Sequence, residues 1–169
     1  MTETNNKFVY KDLTVNDVLF YLDYIDGKFY WKNPTSVRVK KGAFAQVFGK
    51  RYMHVSIKNK RYMIHKLVFF VHHGYVPEIV DHIDGNSFNN SIHNLREVDK
   101  YQNTWNAKVR KHNKTGLKGV TFHPQTNKFR ARIRCKNKIY SLGLFTTKED
   151  AHQAYCNASV IFHKEFGRF

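Results

Sequence analysis

From Gly116 to Phe145 the chain reads GLKGVTFHPQTNKFRARIRCKNKIYSLGLF, with apolar side chains returning at every second position over several short runs. A period of two marks extended strand, because successive side chains of a strand point to opposite faces. Val120 and Phe122 share one face, and Phe129, Ala131 and Ile133 form another such run, between which Arg130, Arg132 and Arg134 turn the other way. Turns at Gln125 to Asn127 and at Lys136-Asn137-Lys138 divide the stretch, so a three-stranded antiparallel meander is expected. After it, Thr147 and Asp150 open a helix in which Ala151, Ala154, Tyr155, Ala158, Ile161 and Phe162 recur at i, i+3, i+4 spacing. Small alanines let that helix lie close on the sheet, burying one face and leaving the arginine face outside.

Charge says what such a face is for. The 169 residues hold 29 Lys and Arg against 13 Asp and Glu, a formal net charge of +16, which exceeds what solubility requires and calls for a polyanionic partner. Residues 108–169 carry 14 of the basic and 3 of the acidic side chains, so the excess concentrates where the meander lies. A polybasic membrane patch lacks the amphipathic basic helix that would accompany it. No apolar run of about 18 residues is present, and the start MTETNNKFVYKDL lacks the basic-then-apolar order of a secretory signal, so a soluble intracellular protein is expected. Cys135 and Cys156 stand apart from any CxxC pair, which argues against a cysteine zinc site or a disulfide framework.

The first part of the chain reads as a second unit. Thr14 and Asp17 form a capping box before a stripe of Val15, Val18, Leu19 and Leu22. Strands are expected at Lys28 to Trp31, at Tyr52 to Ile57 and at 61 to 64, the last two pairing across Lys58-Asn59-Lys60, and a buried helix at His65 to His73 stopped by Gly74. Next comes VDHIDGNSFNNSIHNL, residues 80–95, rich in polar side chains. A short strand from Val80 to Ile83 would leave at least one of Asp81 and His82 on an open face; Asp84-Gly85-Asn86 is a turn; Leu95 to Val98 returns as a strand; and Asp99 caps a helix from Lys100 to Asn106. This order puts Asp81, His82 and Asn103 in a position to converge. A carboxylate and an amide oxygen are hard ligands suited to Mg²⁺ or Mn²⁺, and a neutral histidine beside them can take a proton from water, a combination suited to phosphodiester hydrolysis. Asp84, Asn86, Asn89 and Asn90 read as turn formers, His93 as a bystander, and His65, His72 and His73 as structural.

IHKLVFF, VDHIDGNSFNNSIHNLREV and YQNTWN together resemble the HNH nucleases with a ββα-metal core, closely the phage-type homing endonucleases. The resemblance implies Asp81 and Asn103 as metal ligands, His82 as general base, and Asn94 as the central asparagine that braces the loop and helps orient the base. Asn103 stands where the family name has its third histidine, which favours Mg²⁺ or Mn²⁺ over zinc or nickel.

GLKGV, KFRARI, SLGLF and TKEDAHQAY, over nearly all of residues 116–169, resemble the AP2/ERF DNA-binding domain. That domain lays its sheet in the DNA major groove, which implies that Lys118, Thr121, His123, Arg130, Arg132, Arg134 and Ser141, with Lys138 of the cationic turn, face DNA. The plant versions have Arg and Trp at several positions held here by Thr121, Gln125 and Ser141, so their base preference does not carry over.

The expected protein is thus of the α+β class: an HNH unit with an N-terminal extension over residues 1–107, a basic linker at 108–115, and at 116–169 a three-stranded antiparallel sheet packed on one helix. It would be a monomeric, divalent-metal-dependent DNA endonuclease acting on double-stranded DNA in the cytoplasm of a phage's host, without a membrane or small-molecule cofactor, and with Lys40, Lys41, Lys50 and Arg51 adding contacts. A catalytically silent DNA-binding regulator and an RNA-processing protein are the alternatives.

Overall fold

The computed structural model describes residues 9–169, and the polar start of the chain lies outside the described residues. Contacts divide the chain into two compact units, the first ending at Glu97 and the second running Val98–Phe169. No helix among the described residues is long and apolar enough to cross a membrane.

In the first unit Val9–Tyr10 (β1) pairs with Leu13–Thr14 (β2). Thr14 then caps the helix Val15–Tyr21 (α1): its Oγ1 accepts from the Asp17 amide at 3.1 Å while Asp17 Oδ2 accepts from the Thr14 amide at 2.8 Å. Val18 and Leu22 are fully buried, but Leu19 is exposed, because the helix stops at Tyr21 and Leu22 already opens Leu22–Ile25 (β3). That strand pairs with Lys28–Trp31 (β4).

Val47–Phe48 (β5), Met53–Ile57 (β6) and Lys60–Met63 (β7) form an antiparallel sheet in chain order, with Tyr52 left outside the strand expected to begin there. The β6–β7 hairpin turns through Lys58 and Asn59, both at positive φ, which matches the twist of paired strands. Ile64–His73 (α2) ends at Gly74, whose left-handed φ of 74° lets its amide reach back to the Phe70 carbonyl. Phe29, Tyr62, Leu67 and Phe70 build one core with Val80 and Leu95, the apolar anchors of Ile79–His82 (β8) and Leu95–Val98 (β9), which pair with each other.

One expectation fails at β8. Alternation alone would open Asp81 or His82 to solvent, yet both are buried, at 8% and 5% exposure. The polar side chains of β9 and of the loop between the strands cover them and supply partners, so burial there does not strand a polar group.

In the second unit Asp99 caps Lys100–Asn106 (α3), accepting from the Tyr101 and Gln102 amides at 2.7 and 2.9 Å while Gln102 Oε1 accepts from the Asp99 amide at 2.8 Å. Trp105 of α3 stacks on His163 at 4.5 Å between ring centroids, and its carbonyl accepts from the Arg168 amide at 3.3 Å. The α3 helix therefore groups with the end of the chain. Residues 110–117 are drawn into a turn by Asn113, whose Nδ2 donates to the Leu117 carbonyl and whose Oδ1 accepts from Thr115.

Val120–His123 (β10), Lys128–Cys135 (β11) and Lys138–Phe145 (β12) form a three-stranded antiparallel sheet in chain order. A bulge shifts the register of β12 between Ala131 and Arg132, so Gly143 faces Ala131 and Ser141 faces Arg132 while Leu142 is the extra residue. Leu142 thereby joins the buried side and Ser141 stays beside Arg132.

Lys148–Phe162 (α4), capped by Thr147, packs on that buried side. Gly119 shows how closely: its φ is 77°, and a Cβ there would lie 2.0 Å from the Tyr155 ring. Ala151, Tyr155, Ala158 and Ser159 are buried, but Ile161, expected on the same stripe, is 72% exposed. The buried line continues from Ser159 to His163 in steps of four, which leaves Ile161 pointing nearly opposite.

Candidate active site and nucleic-acid interface

Asp81 and His82 end β8, and each is held by a neighbour that the loop or the next strand supplies. Arg96 of β9 donates to Asp81 Oδ2 from Nε at 3.2 Å and from Nη2 at 3.1 Å. Both side chains are largely buried, so this ion pair works at reduced dielectric and fixes the carboxylate.

His82 Nε2 lies 3.1 Å from Asn90 Oδ1. The Asn90 amide nitrogen meets the Met53 sulfur and the Phe88 carbonyl, both at 3.4 Å, which fixes the amide's orientation and leaves its oxygen to accept from His82. Nε2 is then the donor in this contact.

A second histidine closes the cluster. His65 of α2 is buried, its ring centroid 5.3 Å from His82 and 4.9 Å from Tyr52, and Tyr52 stacks on His82 at 6.2 Å. His65 Nδ1 has no hydrogen-bond partner among the described residues. Burial, then the positive charge that His82 and Lys66 can carry, pushes its pKa down to about 3, so the ring is neutral at physiological pH.

The loop is braced by Asn94. Its Oδ1 accepts from the Asp84 amide at 3.0 Å, and its Nδ2 donates to Asp84 Oδ1 at 3.0 Å and to the Asn89 carbonyl at 2.8 Å. Asp84 also accepts from the Asn86 amide and the Asn89 side chain. Against partial desolvation, these bonds and the nearby His82 hold the Asp84 carboxyl below the usual carboxylate range.

Asn103 projects from the exposed side of α3, within the second unit. Among the described residues no group of three or more His, Cys, Asp and Glu is placed to hold a metal. Within the first unit the Asp81 carboxylate supplies hard oxygen donors of the kind that bind a divalent cation completed by water and phosphate.

On the sheet, register puts Thr121 across from Arg130, Arg132 across from Ser141, and His123 across from Lys128, all on the face away from α4. Arg132, Arg134, Thr121 and Ser141 are exposed, alongside Ile139 and Leu144. Arg130 is half-buried, with an Nε that has no hydrogen-bond partner among the described residues. His123 Nδ1 lies 3.0 Å from Thr126 Oγ1. Lys138 stands across from Cys135, on the other face. Lys118 is committed elsewhere: its ammonium donates to the Trp105 and Ala107 carbonyls, and burial, with the Arg168 charge, pushes its pKa down to about 8.

Reasoning from sequence missed Asn90, Arg96 and His65. Asn90 read as one more turn asparagine, although it is the only one of its loop cluster followed by Ser91-Ile92 and then by the bracing Asn94. The Arg96 signal was present in the alternation Leu95-Arg96, which puts a cation on the face opposite the core.

Residues 62–104 match the HNH endonuclease family, from the middle of β7 through β8 and β9 into α3, so the strand pair and the loop between them form the centre of an HNH endonuclease domain. That family points to a nuclease acting on DNA, and HNH nucleases generally use a divalent metal. Over 107 residues the chain is 30% identical to Protein 3.8 of Escherichia phage T7, covering 62% of this chain and 88% of that protein, and it belongs to the same family. No solved structure matches it.

Proposed function

We propose that the protein is a divalent-metal-dependent, sequence-directed DNA endonuclease of the homing type, active as a monomer in the cytoplasm of a phage's host. The observation that carries this reading is the buried His82 with Nε2 on Asn90 Oδ1, beside the Asp81 carboxylate. His82 Nδ1 takes the proton of a water that attacks phosphorus, Asn90 keeps the ring in the tautomer this requires, and Asn94 holds the loop that carries Asn90. Asp81 would hold Mg²⁺ or Mn²⁺, a role the sequence resemblance extends to Asn103, and the ion would supply stabilisation of negative charge on the phosphate and the leaving oxygen.

The second unit acts as an AP2-like DNA-binding unit, reading the major groove through Thr121, Arg130, Arg132, Arg134 and Ser141. Lys40, Lys41, Lys50 and Arg51 add backbone contacts. A single active site cuts one strand, so the product is a nick.

A second reading, a DNA-binding regulator without catalysis, draws on Arg96: its guanidinium already neutralises Asp81. Purified protein with Mg²⁺ and supercoiled plasmid decides between them. Nicked circles from the parent and none from His82→Ala, at matched DNA affinity, support the nuclease. No cleavage of any DNA by the parent supports the regulator, and linear product without a nicked precursor rules out nicking by a monomer.

A further inference from the structure

Within the second unit a groove of about 670 Å³ runs along the open edge of β10, between that strand and the segment after α3. We infer that this groove binds an unpaired nucleotide of DNA, with its base against Phe122 and Val109 and its phosphates against Lys108, Arg110 and Lys114. The inference deepens the DNA reading above and rests on it for the choice of DNA as the polyanion.

Three observations carry it. The first is charge: no acidic residue stands between Asp99 and Glu149, and Lys108, Arg110 and Lys114 are all exposed at the rim. The second is the wall. Phe122 is 47% exposed and Val109 36% exposed, beside Pro124, so the groove offers apolar and aromatic surface under a cationic rim. A stacked duplex has no base to place there, because its π-faces are occupied. An unpaired base supplies a face for Phe122 while its own backbone meets the cations, which is how single strands are gripped without sequence readout.

The third is that the groove is held open by bonds within the protein. Lys118 ties the end of α3 through the Trp105 and Ala107 carbonyls, and Asn113 and Thr115 fix the lip, with Thr115 Oγ1 also donating to the Val120 carbonyl at 3.1 Å. The cavity size falls within the range of small-ligand sites. Thr121 lines the groove and stands across from Arg130, so the groove continues the arginine face around the strand edge.

The test uses the full chain with chelator, so that no cutting occurs, and fluorescence anisotropy on a labelled oligo(dT) of about 15 nucleotides and on a labelled duplex at equal salt. Phe122→Ala is expected to weaken oligo(dT) binding about tenfold or more and to leave duplex binding within about twofold. Phe122 also packs on Phe129, with centroids 5.4 Å apart, so Phe122→Leu serves as the variant that keeps apolar bulk and removes the ring; the same loss is expected. An Arg110→Gln, Lys114→Gln double variant is expected to lower the salt slope on oligo(dT) by about 1.4. Failure of the parent to bind oligo(dT), unchanged single-strand affinity in Phe122→Leu, or an equal loss on duplex overturns the inference. A parent that binds oligo(dT) through Phe122 but cuts no DNA overturns the nuclease reading instead.

Discussion

Asn90 Oδ1 accepts from His82 Nε2 at 3.1 Å, at a site where both residues are buried. Asn90→Ala removes the group that fixes the ring and leaves a buried donor to find another acceptor, which costs about 1–3 kcal/mol. The expected result is a melting temperature lower than that of the parent and a kcat at least about tenfold lower, with KM for DNA little changed. Asn90→Asp places a carboxylate against the imidazole, which favours its charged form, so the acid limb of the rate profile moves to higher pH. A rate profile indifferent to both changes would mean that His82 is not the base.

Arg96→Met tests what holds Asp81. Removing one partner of a mostly buried ion pair costs about 3–5 kcal/mol. Urea titrations should show that loss in chelator, and should show Mg²⁺ restoring more stability to the variant than to the parent, since the cation then meets a carboxylate relieved of its guanidinium. Equal gains from Mg²⁺ in both proteins would remove Asp81 from the ligand set.

His65 gives a pH dependence of definite sign. Its pKa in the folded protein is about 3, whereas in the unfolded chain it returns to about 6.5. Between those values the unfolded state binds more protons than the native one, so stability is full above about pH 6.5 and declines as pH falls toward 3, by roughly a few kcal/mol in all. His65→Leu should flatten that decline in urea titrations across the same window; an unaltered slope would place the dependence elsewhere.

The sheet face and its anchor should separate in salt titrations. Arg132→Ala, on the exposed row, is expected to reduce the salt slope of duplex binding by about one. Lys118→Met is expected to leave the slope unchanged and to lower the melting temperature, because its ammonium serves the Trp105 and Ala107 carbonyls.

Gly119→Ala sets a methyl group against the Tyr155 ring at a positive φ, with a cost above about 2 kcal/mol. Thermal unfolding should show the loss, together with weaker DNA binding, because α4 can no longer seat on the sheet. A neutral outcome would mean that the loop before β10 moves to make room.

Local signals carried much of this structure in the sequence. The Thr14–Asp17 box, the Lys58-Asn59 turn, the stop at Gly74, the cap at Asp99 and the period of two through β10 to β12 each involve residues a few positions apart, and each appears where the pattern puts it. Relations at longer range were not legible. Whether Asp81 and His82 face water depends on Arg96 and Asn90, and no rule of alternation encodes that a loop asparagine will bond a strand histidine. Lys118 was expected to face DNA, because only the fold brings the Trp105 carbonyl to it. Ile161 fits helical spacing as well as Ala158 does, and the difference lies in where the sheet ends.

The stack of Trp105 on His163 bears on how this chain can be divided. The HNH match closes at residue 104, and the basic stretch at 108–115 looks like a seam at which the matched segment could be separated from the sheet that follows. A cut there would keep every matched residue and take away the His163 ring, the Lys118 ammonium and the Arg168 amide on which α3 rests. Exchange of modules at that seam would deliver a last helix with nothing to lean on, so evolution can trade these two halves only by carrying the tail of one along with the motif of the other.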